Sequence, residues 1–299
     1  MIDRGNFMIT STSNQRIKRL LQLMEKSRIR SREGLFAAEG IRMFLETPLK
    51  ELTEIYIAEG LWQRLTAAAE EDKYLSQLGA RIEDSRKSQI FIEQVSDEVF
   101  RKMSDTCSPQ GILFVARQRR YALSELIDRA ARRSSKGGRS PLFLLLEDIQ
   151  DPGNLGTMIR TAEGAGADGV IMSKNTVDIY NPKVIRSTMG SLYRVPFLYA
   201  EDLLQAAQIL KQEKITLYAA HLAGESFYDE IDYQGGSAFL IGNEGNGLSR
   251  EITECAQRLV RIPMEGKLES LNAAVSAALL LYQAAGCQRK GKNVRGEKA

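Results

Sequence analysis

The sequence predicts an α/β protein whose C-terminal half contains a mainly parallel sheet with helices on both faces. In residues 141–287, short apolar runs typical of strands alternate with longer segments of helical period. Such alternation is typical of parallel strands joined by helical crossovers. Shorter runs of the same two kinds precede this region, and they predict a smaller α/β unit over residues 35–117.

The larger unit begins after Pro141. Its predicted strands are 142–146, 169–172, 195–199, 215–219, 238–241 and 259–262. The first predicted helix is 155–163. A later helix with Leu203, Ala206, Ala207 and Leu210, and the last helix, which starts near Leu271 and runs to Tyr282, each carry an apolar face. The smaller unit has predicted strands at 35–38, 54–58 and 111–116 and predicted helices at 41–45, 61–70 and 97–104.

An amphipathic basic helix is predicted over residues 12–32, with Thr12 and Gln15 as its capping box. Its outer faces carry many Arg and Lys residues. They form either a solvated surface or an RNA-binding one, and the sequence leaves both interpretations open.

Composition divides the chain into four parts. Helical period weakens in residues 118–140, and 132–140 is basic and rich in Gly and Ser, which predicts an interdomain linker. Residues 288–299 show no apolar period and predict a basic tail. The predicted parts are therefore 1–117, the linker 118–140, 141–287 and the tail 288–299.

The composition restricts where the protein works and what it binds. Its 299 residues include 41 Lys and Arg against 38 Asp and Glu, so attraction to a polyanion must come from local clusters. Cys107, Cys255 and Cys287 lie far apart, which fits neither a disulfide framework nor a zinc pattern and favours a reducing cytoplasm. No apolar run approaches the roughly 18 residues that a membrane span needs, so we expect a cytoplasmic protein that does not bind a membrane.

His221 is the only histidine, and this excludes most hydrolase classes. Metallohydrolases, zinc deaminases and Ser-His-Asp enzymes need a well-placed imidazole. His221 follows an apolar strand and has no nucleophile or metal-ligand partner at motif spacing. We predict a structural or substrate-positioning role for it, and no metal.

The segment 164–169 matches the G-x-G-x-x-G pattern of dinucleotide-binding folds. A dinucleotide site needs this pattern after a strand and before a helix, so that backbone amides meet the pyrophosphate. Here the pattern follows a predicted helix and precedes a predicted strand. The glycines are therefore predicted to end the helix.

Three polar loops follow predicted strands: 147–162, 239–249 and 262–276. Each is rich in Gly, Asn, Ser or Glu, and ligands of open α/β sheets bind at the carboxyl ends of the strands. These segments resemble the three signature motifs of the SpoU (TrmH-type) branch of the SPOUT RNA methyltransferases. The residues that match them, in order, are Asn154, Gly156 and Arg160; Gly242, Glu244 and Gly247; and Ser270, Leu271 and Asn272.

The resemblance implies a SPOUT fold with a trefoil knot in the C-terminal domain. It also implies that S-adenosylmethionine binds at that knot, with cofactor-binding residues Gly242, Gly247, Ile262 and Leu271. Members of the family are homodimers whose active site is built from two protomers. The N-terminal unit resembles the ribosomal-protein-like RNA-binding domain that often precedes this catalytic domain.

The activity that the resemblance implies is methylation of a ribose 2′-hydroxyl in structured RNA. Ribosomal RNA is favoured because an added RNA-binding domain suits a large folded target. Residues 181–187, with Asn181, Lys183 and Arg186, resemble a further segment that contributes to the active site and RNA contact in relatives.

The implied catalytic residues are Asn154, Arg160, Glu244, Ser270 and Asn272. We expect Arg160 to orient the ribose and stabilise developing charge, because a guanidinium keeps its proton at neutral pH and is a poor base. Asn154 is also expected to cap its helix, and capping is the alternative for Ser270 and Asn272.

Other functions remain open at this point. One is a non-catalytic RNA-binding or ribosome-assembly factor, although the cofactor loops are intact. Another is a base methyltransferase of the wider knotted class, which would need a catalytic set other than Asn154 and Arg160. A transfer RNA enzyme and an antibiotic-resistance enzyme that modifies ribosomal RNA share the proposed chemistry.

Overall fold

The computed structural model describes residues 8–67 and 72–296. The strands are β1 Leu35–Glu39, β2 Leu52–Ala58, β3 Phe91–Val95, β4 Ile112–Arg117, β5 Leu142–Leu146, β6 Gly169–Ser173, β7 Phe197–Ala200, β8 Thr216–Ala220, β9 Ser226–Phe227, β10 Ser237–Ile241 and β11 Arg258–Arg261. The helices are α1 Gln15–Glu25, α2 Ser27–Glu33, α3 Ile41–Glu46, α4 Glu59–Ala67, α5 Lys73–Lys87, α6 Asp97–Met103, α7 Leu123–Ser135, α8 Pro152–Ala165, α9 Pro182–Thr188, α10 Leu203–Gln212, α11 Arg250–Cys255 and α12 Ala273–Gly296.

The described residues form two compact units. The first takes its residues from Met1–Arg119 and Tyr180–Tyr193, and the second from Arg120–Ile179 and Arg194–Ala299. Residues 180–193 lie between β6 and β7 along the chain, but they pack with the N-terminal residues. The Tyr180 hydroxyl, for example, accepts a hydrogen bond from the Arg119 backbone N–H at 2.6 Å.

The first unit is built on a four-stranded sheet in the order β1-β4-β2-β3. β4 is antiparallel to both of its neighbours, and β3 is parallel to β2. Ile17, Leu20 and Leu23 of α1 are buried against this sheet. The three predicted strands and the helices α3 and α6 are confirmed within one or two residues, whereas α5 and β3 were not predicted. The predicted helix 61–70 is present up to Ala67, and its last residues lie outside the described part of the chain.

The single helix predicted over residues 12–32 is wrong. The chain is extended at Lys26, which separates α1 from α2. The N-cap is Asn14, whose side chain accepts a hydrogen bond from the Arg16 backbone N–H at 2.9 Å, and Thr12 does not cap the helix. Arg30 is buried and donates to the carbonyls of Leu23 and Met24, both at 2.8 Å. This arginine satisfies the last carbonyls of α1, so not every cation here is available to a ligand.

The second unit contains a seven-stranded sheet in the order β7-β6-β5-β10-β8-β11-β9. Every strand pair is parallel, so the predicted mainly parallel sheet is confirmed. The chain runs outward from β5 through β6 to β7 and then returns to the other side of β10. The strand order thus reverses between β5 and β10, and such a switch point opens a crevice at the carboxyl ends of the strands. Gly166 ends α8 with φ +74°, as the inverted glycine pattern predicts.

The segment predicted as a linker, 118–140, contains a packed helix. Leu126 and Ala130 of α7 are fully buried in the core of the second unit. The basic residues of α7 obscured its apolar face, because the apolar positions are few and widely spaced. The predicted tail also differs: α12 continues to Gly296, and residues 297–299 lie outside the described part. Among the described residues, no helix has both the length and the apolar character of a membrane span.

We predict that Leu126→Ala lowers the free energy of unfolding of the protein by about 2–5 kcal/mol, because loss of the leucine side chain leaves a cavity next to Gly169 and Phe143. Chemical denaturation measures this change. The matched control is Leu123→Ala, where the side chain is only partly buried. Equal small effects of both substitutions would contradict the assignment of α7 to the core.

Candidate active site

A cleft of about 1190 Å³ opens at the carboxyl edge of the sheet in the second unit. It lies where β10, β8 and β11 end and where α8 begins. The predicted site residues that line it are Asn154, Gly242, Glu244, Gly247, Ile262, Ser270, Leu271 and Asn272. Residues from all three loops therefore converge on one cleft, because parallel strands deliver their carboxyl ends to one edge.

The loop after β10 is closed by its own backbone. Asn243 and Gly247 exchange two hydrogen bonds, of 3.0 and 2.9 Å between backbone N–H and carbonyl. The Asn243 Oδ1 accepts from the N–H groups of Gly245 and Asn246 at 2.9 and 3.0 Å. A Cβ on Gly242 would lie 2.1–2.3 Å from the backbone of Gly247 and Leu248, so only glycine fits there.

Two neighbouring acidic residues hold this loop from the end of β5. The Glu147 Oε2 accepts a hydrogen bond from the Ser249 backbone N–H at 2.7 Å. The Asp148 carbonyl accepts from the Asn243 Nδ2 at 2.8 Å. Asp148 has φ +53°, and its backbone N–H donates to Ser173 Oγ at 2.8 Å. Neither Glu147 nor Asp148 is among the predicted site residues, although an acidic pair directly after a buried strand is a recognisable signal in the sequence.

Glu244 joins the loop after β10 to the start of α8. Its Oε1 accepts from the Asp151 backbone N–H and the Asn154 Nδ2, and its Oε2 accepts from the Gln150 backbone N–H, each at 3.1 Å. The expectation that Asn154 caps α8 is wrong. Asp151 is the N-cap, and its Oδ1 accepts from the Asn154 backbone N–H at 2.7 Å, which leaves the Asn154 side chain available to the cleft.

Asn272 connects the third loop to the same network. Its Nδ2 donates to the Asn154 Oδ1 at 2.9 Å. Its Oδ1 accepts from the N–H groups of Ala274 and Val275 at 2.9 and 3.3 Å, so it also caps the first turn of α12. Both polar atoms of the Asn154 amide are thus engaged, which fixes the orientation of the amide plane.

Glu244 is a carboxylate at neutral pH. Partial burial raises its pKa, but the hydrogen bonds from the Asn154 side chain and from backbone N–H groups outweigh burial, and they hold the pKa below its ordinary value. A carboxylate with a lowered pKa is a poor proton acceptor. Its geometry instead suits the positioning of Asn154.

Of the remaining predicted residues, His221 lies in the cleft and the others do not line it. Arg160 is exposed on α8 and does not line the cleft of its own chain. His221 does line the cleft, and its Nδ1 accepts from the Ala223 backbone N–H at 3.1 Å. Asn181 caps α9 in the first unit, where Arg186 forms an ion pair of 3.0 Å with Asp105.

The cleft fits an adenosine-bearing cofactor. Gly242 and Gly247 line the cleft without side chains, and main-chain groups of such a loop can read the edge of an adenine ring. Ile262 and Leu271 supply apolar side chains in the same cleft. Its volume exceeds what one small molecule needs, so room remains for an acceptor.

The comparisons with known proteins agree with this geometry. A model described as the SpoU rRNA Methylase family matches residues 141–282, and one described as the MRM3-like substrate binding domain matches residues 14–114. The 23S rRNA (guanosine(2553)-2′-O)-methyltransferase RlmP of Bacillus subtilis strain 168 is 31% identical over 278 residues, covering 93% of this chain and 99% of that protein. The chain belongs to the SpoU rRNA methylase family.

Solved structures resemble this SpoU family member along most of its length. An AdoMet-bound rRNA methyltransferase from Sinorhizobium meliloti is 27% identical with a TM-score of 0.74, covering 93% of this chain and 97% of that one. An RNA 2′-O ribose methyltransferase is 31% identical with a TM-score of 0.73, covering 95% and 100%. The predicted family and α/β fold are confirmed, and the trefoil knot stays a prediction.

We predict that Gly242→Ala weakens the binding of S-adenosylmethionine to this SpoU family member by about tenfold or more, because the new methyl group displaces the backbone at Gly247. Titration calorimetry measures this affinity. The matched control is Gly235→Ala, where no atom of the described residues lies within 4 Å of the new Cβ and which does not line the cleft, so affinity should be retained. Unchanged affinity in the first variant would contradict the assignment of this loop.

Proposed function

We propose that this protein transfers a methyl group from S-adenosylmethionine to a ribose 2′-hydroxyl of structured ribosomal RNA. The observation that carries this proposal is the linked set Glu244–Asn154–Asn272, which joins the three loops around one cleft. A non-catalytic RNA-binding factor would have no need for such a network. The relatives support the RNA class, since RlmP is named for 2′-O-methylation of 23S rRNA.

In the cleft, S-adenosylmethionine when bound supplies an electrophilic methyl group that needs little activation. The chain must therefore bind the donor, hold the weak ribose nucleophile in line and accommodate loss of its proton. Gly242, Gly247, Ile262 and Leu271 hold the adenosine. The fixed amide of Asn154 and the hydroxyl of Ser270 orient the acceptor.

Arg160 orients the ribose and stabilises charge as the hydroxyl loses its proton. An arginine side chain is a cation and has no free lone pair to accept a proton, so we do not assign the role of base to Arg160. Since Arg160 does not line the cleft of its own chain, we assign it to the cleft of a partner subunit.

A homodimer supplies that arrangement. Val275 and Tyr282 of α12 are 47% and 49% exposed, which is unusual for side chains of their size. With Thr157, Ala278 and Leu279 they line an apolar depression of about 480 Å³ beside α8. A second copy of the chain covers this depression in the proposed dimer and brings Arg160 of the partner subunit to the cleft.

We assign RNA binding to the N-terminal part, residues 1–117. Lys18, Lys26 and Arg28 are exposed there, whereas Arg19 pairs with Glu33 and Glu54. The exposed cations are available to phosphate groups. The cytoplasmic location stays a prediction.

Labelled S-adenosylmethionine tests the proposed reaction. Incubation with ribosomal RNA from a strain lacking the gene should place the label on a ribose, and alkaline hydrolysis should then leave one resistant linkage at the modified nucleotide. Transfer RNA serves as the alternative acceptor. Label on a base, or on transfer RNA alone, would contradict the proposal.

Mixing two impaired variants tests the shared site. In Glu244→Gln, either orientation of the new amide leaves the backbone N–H of Gln150 or of Asp151, just before α8, facing an NH₂ group, so we expect kcat to fall by about ten- to hundredfold. Arg160→Ala should be inactive alone. A re-associated mixture should regain activity, because one cleft of each heterodimer has both wild-type residues.

The control for the first variant is Glu251→Gln, the same substitution at an exposed position of α11, which should keep full activity. A mixture of the two variants that is no more active than Glu244→Gln alone after confirmed subunit exchange would contradict the placement of Arg160 in a partner's cleft.

A further inference from the structure

A basic surface lies on the second unit at the edge of the sheet opposite the cleft. We call the exposed cations Arg129, Arg132 and Lys136 of α7 and its C-terminus, with Arg289 of α12, the α7 basic surface. Leu126 and Ala130 occupy the inner face of α7, and this burial fixes the direction in which the cations point.

Two further arginines, Arg133 and Arg139, lie between this surface and the C-terminus of α8. Arg139 donates to the carbonyl of Ala165 at 2.7 Å, and both Arg139 and Arg133 donate to the carbonyl of Gly166. Arg133 also pairs with Asp168 at 2.7 Å. These bonds satisfy the C-terminal carbonyls of α8, where a helix favours positive charge. Arg133 and Arg139 are therefore structural, and their charges add to the surface above them.

The cations exceed the carboxylates that face them. Arg133, Arg139 and Arg129 all act on the single carboxylate of Asp168. The pKa of Arg139 lies below its ordinary value, chiefly because of burial and further because of Arg133 and Arg289, while Asp168 opposes this. Within residues 128–140 the only acidic residue is Asp128, against five Arg and Lys. Like charges held this close favour binding of a polyanion.

The position of the surface separates it from the cleft. Asp168 precedes β6 and pairs through its Oδ2 with the Leu142 backbone N–H, at the first residue of β5. The cleft opens at the far ends of the strands. A five-residue strand spans on the order of 15 Å, so the two places are at least that far apart along the sheet.

We propose that the α7 basic surface binds the sugar-phosphate backbone of the RNA substrate at a second place, away from the nucleotide that is methylated. This inference rests on the proposed function for its substrate class. An RNA that reaches both edges of the sheet must extend well beyond one nucleotide, so the surface favours longer RNA over short fragments. Phosphate contacts position a nucleic acid without reading its sequence.

Charge-neutral variants test the surface. The test variant carries Arg129→Gln, Arg132→Gln and Lys136→Gln. The matched control carries Lys211→Gln, Lys214→Gln and Arg258→Gln, which remove three equally exposed charges elsewhere on the same unit. Binding of purified bacterial ribosomal RNA is measured over a series of KCl concentrations, without cofactor. The slope of log K, where K is the association constant, against log salt concentration is negative. Its magnitude should decrease by about two to three in the test variant and remain nearly unchanged in the control.

Methylation kinetics supply the second readout. In the test variant, KM for ribosomal RNA should rise about tenfold while kcat and the affinity for S-adenosylmethionine stay unchanged. Unchanged cofactor affinity also shows that the variant is folded. An equal loss in both variants, or no loss in either, would overturn the proposal.

The two hypotheses fail in different ways. If the wild-type chain binds ribosomal RNA through this surface but labels no ribose, the proposed reaction fails and the surface stands as an RNA-binding site. If methylation proceeds and the test variant binds and reacts like wild type, the surface is rejected and the reaction stands. The proposal would also be rejected if the three substitutions weakened binding to phosphatidylserine vesicles but left RNA binding unchanged.

Discussion

The site depends on the carboxylate of Glu244 and the hydrogen bonds that it accepts from the start of α8. Because it binds both backbone N–H groups and the Asn154 side chain, it fixes where α8 begins relative to the loop after β10. Asn272 extends the same network to α12. The polar residues of the three loops lie at the cleft and do not pack into a core of their own. Their arrangement therefore comes from these bonds and from the strand ends that carry them.

The parallel sheet supplies the other constraint. β5 and β10 are neighbours although about ninety residues separate them along the chain, and the connection between them reverses direction. Such a reversal opens a crevice that adjacent crossover helices do not fill. Glu147 and Asp148 follow β5 at that point and accept hydrogen bonds from the loop after β10. A buried sheet thus positions groups that must themselves remain accessible to cofactor and RNA.

Sequence patterns predicted the elements whose signal is local. The apolar runs identified the main strands, and Gly166 ended its helix as its place in the chain indicated. Features set by distant partners were missed. The break at Lys26 depends on Arg30 beneath it, the helix α7 depends on two buried positions among many cations, and the cap at Asp151 competes with a similar Asn154 three residues later. The motif resemblance selected most of the cleft residues, but it did not select Asp148 or Asn243, because the Asn243 side chain acts on the backbone of its own loop and on the Asp148 carbonyl, and such partners cannot be read from residue types.

The most direct measurement is a crystal structure of the protein with S-adenosylhomocysteine. We expect the adenosine between the loops that follow β10 and β11, in contact with Gly242, Ile262 and Leu271, with the hydrogen bonds of Asn154 to Glu244 and Asn272 intact. Density for the nucleoside at any other place on the second unit, or a cleft in which those loops have separated, would contradict the site described above.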